Sequence, residues 1–205
     1  DGRWRVRIQG KWNWFATHYR DELAVGNVHD VDYNQREAYI SGAVSYQPIS
    51  QFFVGYAADY FFNNLSSSLS TDVRPYRNSL LQSLSVKYIT SRFIAISRLL
   101  LSVYDNGACR GIAGRDAQRL SPSLSFSWKV FPIEQLYLRA AYKNIFRMPT
   151  FNENYFYHFG SPSLNPESTQ QYTLGLTWQH QFAHAWQALF TLDGYTNRIT
   201  NQIVA

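Results

Sequence analysis

Few residues in this chain have the types and spacing that chemistry needs. Arg147 stands near two carboxylates in sequence, Glu153 and Glu167. A guanidinium between two carboxylates either braces a loop through bidentate pairing or offers its fork to an anionic ligand. Next to it runs Tyr155-Phe156-Tyr157-His158-Phe159. That aromatic cluster has two readings: a stacking platform for a ligand, or packing against a rim. Arg3, Arg5, Arg7 and Lys11 form a row of donors for an acidic partner, or an ordinary polar wall. His180 and His184 are four apart, a spacing that suits a metal on a helix, yet here they flank a tight turn. Asp21, Glu22, Asp30 and Asp32 supply oxygen ligands, but not at the spacing of a calcium loop. Cys109 is the one cysteine, so no intrachain disulfide forms. Ser121, Ser123, Ser125 and Ser127 are a hydroxyl ladder on one strand face rather than a nucleophile with a base. No glycine-rich phosphate loop is present. The expectation is a protein that is not an enzyme, has no cofactor and holds no metal.

The composition narrows the class. The chain has 205 residues, 17% aromatic and only 16% charged, with a net charge of +5. The basic balance comes without any Lys/Arg-rich run, which argues against nucleic acid as a partner. No apolar stretch approaches the ~18 residues of a membrane-spanning helix. A transmembrane barrel remains open, because its strands alternate and average out in hydropathy.

The elements that must position these residues read with period two. Trp4, Val6, Ile8, Gly10, Trp12, Trp14 and Ala16 oppose Arg3, Arg5, Arg7, Gln9, Lys11 and Asn13. Alternation over that length describes a long strand with one apolar face. Similar runs start at Ala38, Phe52, Leu80, Leu124, Leu136, Tyr172 and Trp186. Residues 92–104 are blurred, because Ile94, Ile96 and Leu100 interrupt the phase set by Phe93, Ala95, Leu99, Leu101 and Val103. Short turns near 47–50, 89–91, 131–134 and 182–184 alternate with longer polar links near 20–36, 63–78, 105–118 and 147–169. No helical period stands out. This rhythm predicts an all-β, antiparallel array with elaborated loops at one end, as in outer-membrane barrels with short periplasmic turns and long extracellular loops.

Aromatics collect at both ends of the apolar face. Trp4, Tyr46, Phe52, Tyr88, Trp128, Trp178 and Trp186 lie by the short turns; Trp12, Trp14, Tyr60, Phe62, Tyr142 and Tyr172 lie toward the long links. Two such rings suit two membrane interfaces, so Trp12, Trp14, Tyr60, Trp128, Trp178 and Trp186 are expected to form a girdle. A soluble β-sandwich binding module, for a carbohydrate or another ligand, would alternate too, with the 155–159 aromatics as its platform.

The segment Phe146-Arg147-Met148-Pro149-Thr150-Phe151-Asn152-Glu153, followed by Leu164-Asn165-Pro166-Glu167-Ser168, resembles a signature of TonB-dependent outer-membrane receptors. Ser121-Pro122-Ser123-Leu124, Tyr172-Thr173-Leu174-Gly175-Leu176 and Tyr195-Thr196-Asn197-Arg198-Ile199-Thr200-Asn201-Gln202-Ile203 resemble further strands of that family, in the same order. The resemblance implies a 22-stranded barrel around an N-terminal plug. About nine or ten strands are readable here. Residues 1–205 are therefore expected to be part of such a barrel, without its plug and terminal strand, leaving two open strand edges. It also implies the outer membrane of a Gram-negative bacterium, contact with lipid, and coupling to the TonB complex through the plug. Its nutrient would be scarce: a metal chelate or siderophore (iron), or cobalamin. The resemblance places Phe146, Arg147, Pro149, Thr150, Asn152, Glu153, Leu164, Pro166 and Glu167 in the family motif. It makes Tyr155, Tyr157, His158, Phe159 and Arg147 the candidate ligand-facing set.

Overall fold

A computed structural model describes residues 3–21, 29–68, 73–132, 135–156, 160–183 and 186–203. Nine strands run β1 (Trp4–Asp21), β2 (His29–Ile49), β3 (Phe52–Ser67), β4 (Pro75–Ile89), β5 (Phe93–Ala108), β6 (Ala117–Lys129), β7 (Gln135–Arg147), β8 (Glu167–Ala183) and β9 (Trp186–Thr200). They form one sheet in chain order, each antiparallel to the next. This is a meander in a single sheet; among the described residues no second sheet faces it, so the sandwich alternative does not form.

The alternating pattern fixes the register, since a one-residue slip would turn every side chain of a strand to the other face. One row runs Trp4, Tyr46, Val54, Val86 and Ser97 to Leu124, then Tyr142 and Tyr172. The neighbouring row on the other face runs Arg5, Ser45, Gly55, Ser85, Arg98, Ser123, Lys143 and Gln171. The apolar face is open to the surroundings: Ile8, Trp12 and Leu174 are 76%, 65% and 60% exposed. β5 explains the blurred segment. Ile94, Ile96 and Leu100 lie on the otherwise polar face, opposite Ser127, Ser125 and Ser121.

The strands are 13 to 21 residues long, well beyond the five or six usual in soluble sheets. They extend into segments that read as links: Tyr33 already pairs with Thr17, and Asn64 with Tyr76. The links at that end therefore shrink to 22–28, 68–74 and 109–116, leaving 148–166 as the long one. The asymmetry stands, with tight turns such as Ser50–Gln51 at the opposite end.

Among the described residues there is no central core of the kind a soluble domain has. The cluster of buried apolar side chains is Val31, Tyr33, Leu65 and Phe151, joined by Tyr19, Tyr155 and Phe156. Val31, Tyr33 and Leu65 share the phase of the polar face, on β2 and β3, while Phe151 belongs to the link after β7. A link from β7 that packs on β2 and β3 does so across the hollow of a curled sheet. The polar face is thus the concave one, and the apolar face lies outside.

Candidate functional site

The β7–β8 link carries the signature residues and fills part of that hollow. It opens with Met148 and Pro149, both buried, and turns once as helix α1 (Phe151–Tyr155). Thr150 caps it. The Glu153 N–H donates to the Thr150 hydroxyl oxygen at 3.2 Å, and the Thr150 N–H donates to the Glu153 carboxylate at 2.7 Å. This reciprocal capping box satisfies two otherwise orphaned donors. Thr150-Phe151-Asn152-Glu153 spells it in the sequence, and that Thr-x-x-Glu spacing was the signal for a helix that hydrophobic periodicity missed.

Arg147 ties the link down. Its Nη1 donates to both Glu153 oxygens, at 2.9 and 3.1 Å, and its Nη2 lies 3.7 Å from Glu167 on β8. Glu167 in turn accepts the Ile203 N–H at 3.2 Å. Burial pushes the Glu153 carboxyl upward, but the Thr150 N–H, the Arg147 guanidinium and the Thr150 hydroxyl outweigh it and hold Glu153 below its ordinary value. Arg147 is therefore occupied as a brace between β7, α1 and β8.

The described aromatics of this segment, Phe151, Tyr155 and Phe156, turn inward. Phe156 stacks on Tyr33 (centroids 4.6 Å apart, planes at 12°) and meets Tyr19 edge-on at 5.6 Å. The guanidinium of Arg77 on β4 sits 5.3 Å from the centre of the Phe151 ring, a favourable cation–π placement. Arg77 Nε also donates to Asn106 on β5 at 2.6 Å. Tyr155 is half-buried between Phe151 and the Gly114 backbone; burial raises its phenol, opposed by the Gly114 hydrogen bond and by the Arg77 charge. Asn154 is buried, and among the described residues its Oδ1 has no partner. A small cavity of about 150 Å³ lies beside Leu65, Asn154, Tyr155 and Phe156. One link thus touches β2, β3, β4 and the β5–β6 connection. Sequence reading had no way to identify Arg77, Asn106 or Gly114 as parts of this site, because only the curl brings them under the link.

Of the candidate ligand-facing residues, the structure brings Arg147 and Tyr155 into one unit. Tyr157, His158 and Phe159 lie outside the described residues. Among the signature positions, Phe146 comes within 6.0 Å of Tyr104, Asn152 is exposed, Leu164 donates its N–H to Ser161 at 3.3 Å, and the Pro166 carbonyl accepts from Asn201 at 3.4 Å. Elsewhere, His180 stacks on Trp178 at 5.6 Å, and His184 lies outside the described residues. Asp30 and Asp32 belong to β2 and face His18, with Asp32 at 2.8 Å. Among the described residues no group of three His, Cys, Asp or Glu is placed to hold a metal. Cys109 is exposed. Of the expected girdle, Trp12, Trp14, Tyr60, Trp128 and Trp186 are exposed on the apolar face, and Trp178 shares that face, opposite Leu136 and Phe190.

A curled antiparallel meander with apolar residues outside, polar residues inside and its longest link folded into the hollow is a segment of a barrel wall. Comparison with known proteins agrees. The family model described as TonB dependent receptor-like, beta-barrel, matches residues 1–205. The chain belongs to this family. Among solved structures it is similar to the copper transporter OprC (TM-score 0.66, 14% identity, covering 86% of this chain and 33% of that one). It is also similar to FpvAI in its complex with pyocin S2 (TM-score 0.60, 12% identity, 87% and 28% covered). A third is P. aeruginosa FpvA bound to heterologous pyoverdines (TM-score 0.55, 13% identity, 99% and 36% covered). The chain spans about a third of the length of these structures, and at such identities the likeness shows the fold. No curated protein matches it by sequence.

Proposed function

We propose that this chain is part of the barrel wall of an outer-membrane receptor that imports a scarce nutrient in a Gram-negative bacterium. In this reading residues 1–205 supply strands and outer links, while a plug and further strands complete the receptor. The TonB complex would drive release through that plug. The nutrient class is a metal chelate, with a siderophore first, or cobalamin. The nature of the OprC and FpvA ligands, copper and pyoverdine–iron, supports a metal-containing cargo. Transport rather than catalysis is the common activity of such receptors.

The observation that carries this reading is the inside-out burial: large apolar side chains cover the outer face, while the hollow is polar and is bridged by the signature link. A wall surrounded by hydrocarbon needs that arrangement. Trp12, Trp14 and Tyr60 would sit at one interface and Trp128, Trp178 and Trp186 at the other. Arg147 and Tyr155 would present Tyr157, His158 and Phe159 to an arriving ligand from a braced base. To test this, the parent gene is deleted and uptake of labelled ferric siderophores, cupric chelates and cobalamin is measured, with and without TonB. Loss of uptake of one class, restored by the gene only when TonB is present, is expected. Normal uptake of all three, or recovery of the receptor in the aqueous fraction without detergent, would sink the reading. Tyr157→Ala with His158→Ala should weaken uptake with the receptor still folded; unchanged uptake removes them from the ligand site.

A further inference from the structure

The sheet has a split at its loop end. β6 and β7 pair from Lys129 with Tyr137 up to Ser123 with Lys143, and no further. Beyond that point β6 continues to Ala117 against β5, and β7 continues to Arg147 against β8. The first residue past the last pair is Pro122, which has no N–H to give a ladder. A cleft of about 730 Å³ lies at this end. Arg115, Arg119 and Arg198 line it, against one carboxylate, Asp116. Asp116 is partly occupied, accepting the Asn106 N–H at 2.7 Å, and Arg115 donates to Asn165 at 2.7 Å. Among the described residues Arg119 and Arg198 form no ion pair. Next to the split, Ser121 Oγ and Asn144 Oδ1 are buried without partners.

An apolar groove lies next to the cleft along the same strands. The row Asn144, Gln170 and Arg198 is followed by the row Tyr142, Tyr172 and Thr196, two residues or roughly 7 Å along the same strands. Tyr142 and Tyr172 are part of a groove of about 830 Å³ over β6–β9 that also holds Leu124, Phe126, Leu174 and Leu192. On the outer face Arg198 therefore stands at the head of an apolar groove, while Arg119, in phase with Ser121 and Ser123, lines the cleft from the hollow side of the split.

We propose that this seam binds a phosphate-bearing membrane lipid, its headgroup among Arg115, Arg119 and Arg198 and its acyl chains in the groove below. The inference rests on the membrane-barrel reading above. Guanidinium forks suit phosphate oxygens in bidentate fashion. A free phosphate ion would use the cleft and leave the groove idle. A zwitterionic lipid would bring its own ammonium against three arginines.

The test uses the intact receptor that carries this chain, in nanodiscs of phosphatidylglycerol and phosphatidylcholine. Lipid retained after detergent washing is counted by native mass spectrometry. Phosphatidylglycerol should be retained in preference. That preference should fall about five-fold for Arg198→Gln and on the order of a hundred-fold when Arg115 and Arg119 are also Gln. Arg92→Gln, at the opposite end, should leave it unchanged. Leu174→Asn with Leu192→Asn should lower lipid retention, and added inorganic phosphate should not displace the lipid. Equal retention of both lipids, or an unchanged preference in the triple variant, overturns the proposal; displacement by inorganic phosphate assigns the cleft to the free ion and overturns it as well. Heat-modifiable mobility on gels separates the two readings. A receptor that inserts and folds but shows no preference refutes the lipid site alone, whereas one that never enters the bilayer refutes the barrel and takes the lipid site with it.

Discussion

Replacing Glu153 with Ala should free the β7–β8 link from the wall while leaving the strands paired. Two contributions are lost. One is the capping box, whose loss costs about 1 kcal/mol. The other is the pair with Arg147, at 2.9 Å. The Arg147 side chain is 40% exposed, so solvent screening limits this pair to about 1 kcal/mol. Together they amount to ~2 kcal/mol of local docking energy, which raises the open population of residues 148–166 roughly 30-fold. Limited proteolysis of the folded receptor reads that population directly when closing outruns cleavage. Glu153→Gln keeps an acceptor for the Thr150 N–H and should cost about half as much. The same clamp sets a pH dependence. Glu153 is held below its ordinary value of 4.5, so its contribution is complete above that pH and is lost as pH falls through the lowered value. Hydrogen exchange in the link, corrected for intrinsic rates, should be flat from neutral pH down to that point and then accelerate. The Gln variant should show no such step. Cleavage of Glu153→Ala within two-fold of wild type, or a pH step that survives Glu153→Gln, would refute the clamp.

Three further outcomes are expected. Gly175 lies between Arg139 and Asp193, which pair at 2.8 Å, and a Cβ there would strike Asp193 and come within 3.1 Å of Arg139. Gly175→Leu should break the pair, itself worth about 0.5 kcal/mol at this exposure, and add strain, lowering the temperature at which the folded gel band disappears; an unshifted temperature refutes it. Leu124→Arg, on the outer face, should impair assembly by about 2–4 kcal/mol if it lies near mid-bilayer, while the neighbouring Ser125→Arg, on the hollow side, should be tolerated; equal folded yields from refolding would refute the face assignment. Phe156→Ala removes the stack on Tyr33 and the edge contact with Tyr19, costing ~2 kcal/mol for a partly buried ring; proteolysis of the link should speed up as much as in Glu153→Ala.

Much of the fold was legible because membrane strands leave a strict two-residue period in the chain. Val6 and Arg7, or Trp128 and Ser127, declare their faces without any structure. The same alternation hid what depended on curvature. Periodicity assigns Tyr33 and Leu65 to links, since a buried aromatic on a polar face breaks the pattern, and the reason for their burial is a link from the far side of the sheet. Ile94 and Ile96 blurred β5 for a similar reason: they are apolar residues on the hollow side. α1 escaped because five residues are too few to show a 3.6-residue period, and its sign was the Thr150–Glu153 cap. Arg147 as a brace was readable from its two nearby carboxylates. Arg77 was not, because its partners Phe151 and Asn106 are 74 and 29 positions away.

The link also bears on the shape of the sheet. Antiparallel pairing constrains each strand against its neighbours but sets curvature only loosely, since twist between neighbours varies widely. Here Phe156 joins α1 to Tyr33 on β2, Phe151 joins it to Arg77 on β4, and Arg147 anchors it to β7 and β8. Those contacts form a chord across the arc. If the curl came from the strands alone, Glu153→Ala with Phe156→Ala would release the link without altering the wall. If the chord contributes, the double variant should also open the arc, and the distance between spin labels at exposed Gln9 on β1 and Gln181 on β8 should lengthen and broaden. Because Phe156 and Glu153 act on opposite ends of one short segment, freeing either end frees most of it. The double variant should therefore fall short of additivity, and strict additivity would mean that the two ends dock independently.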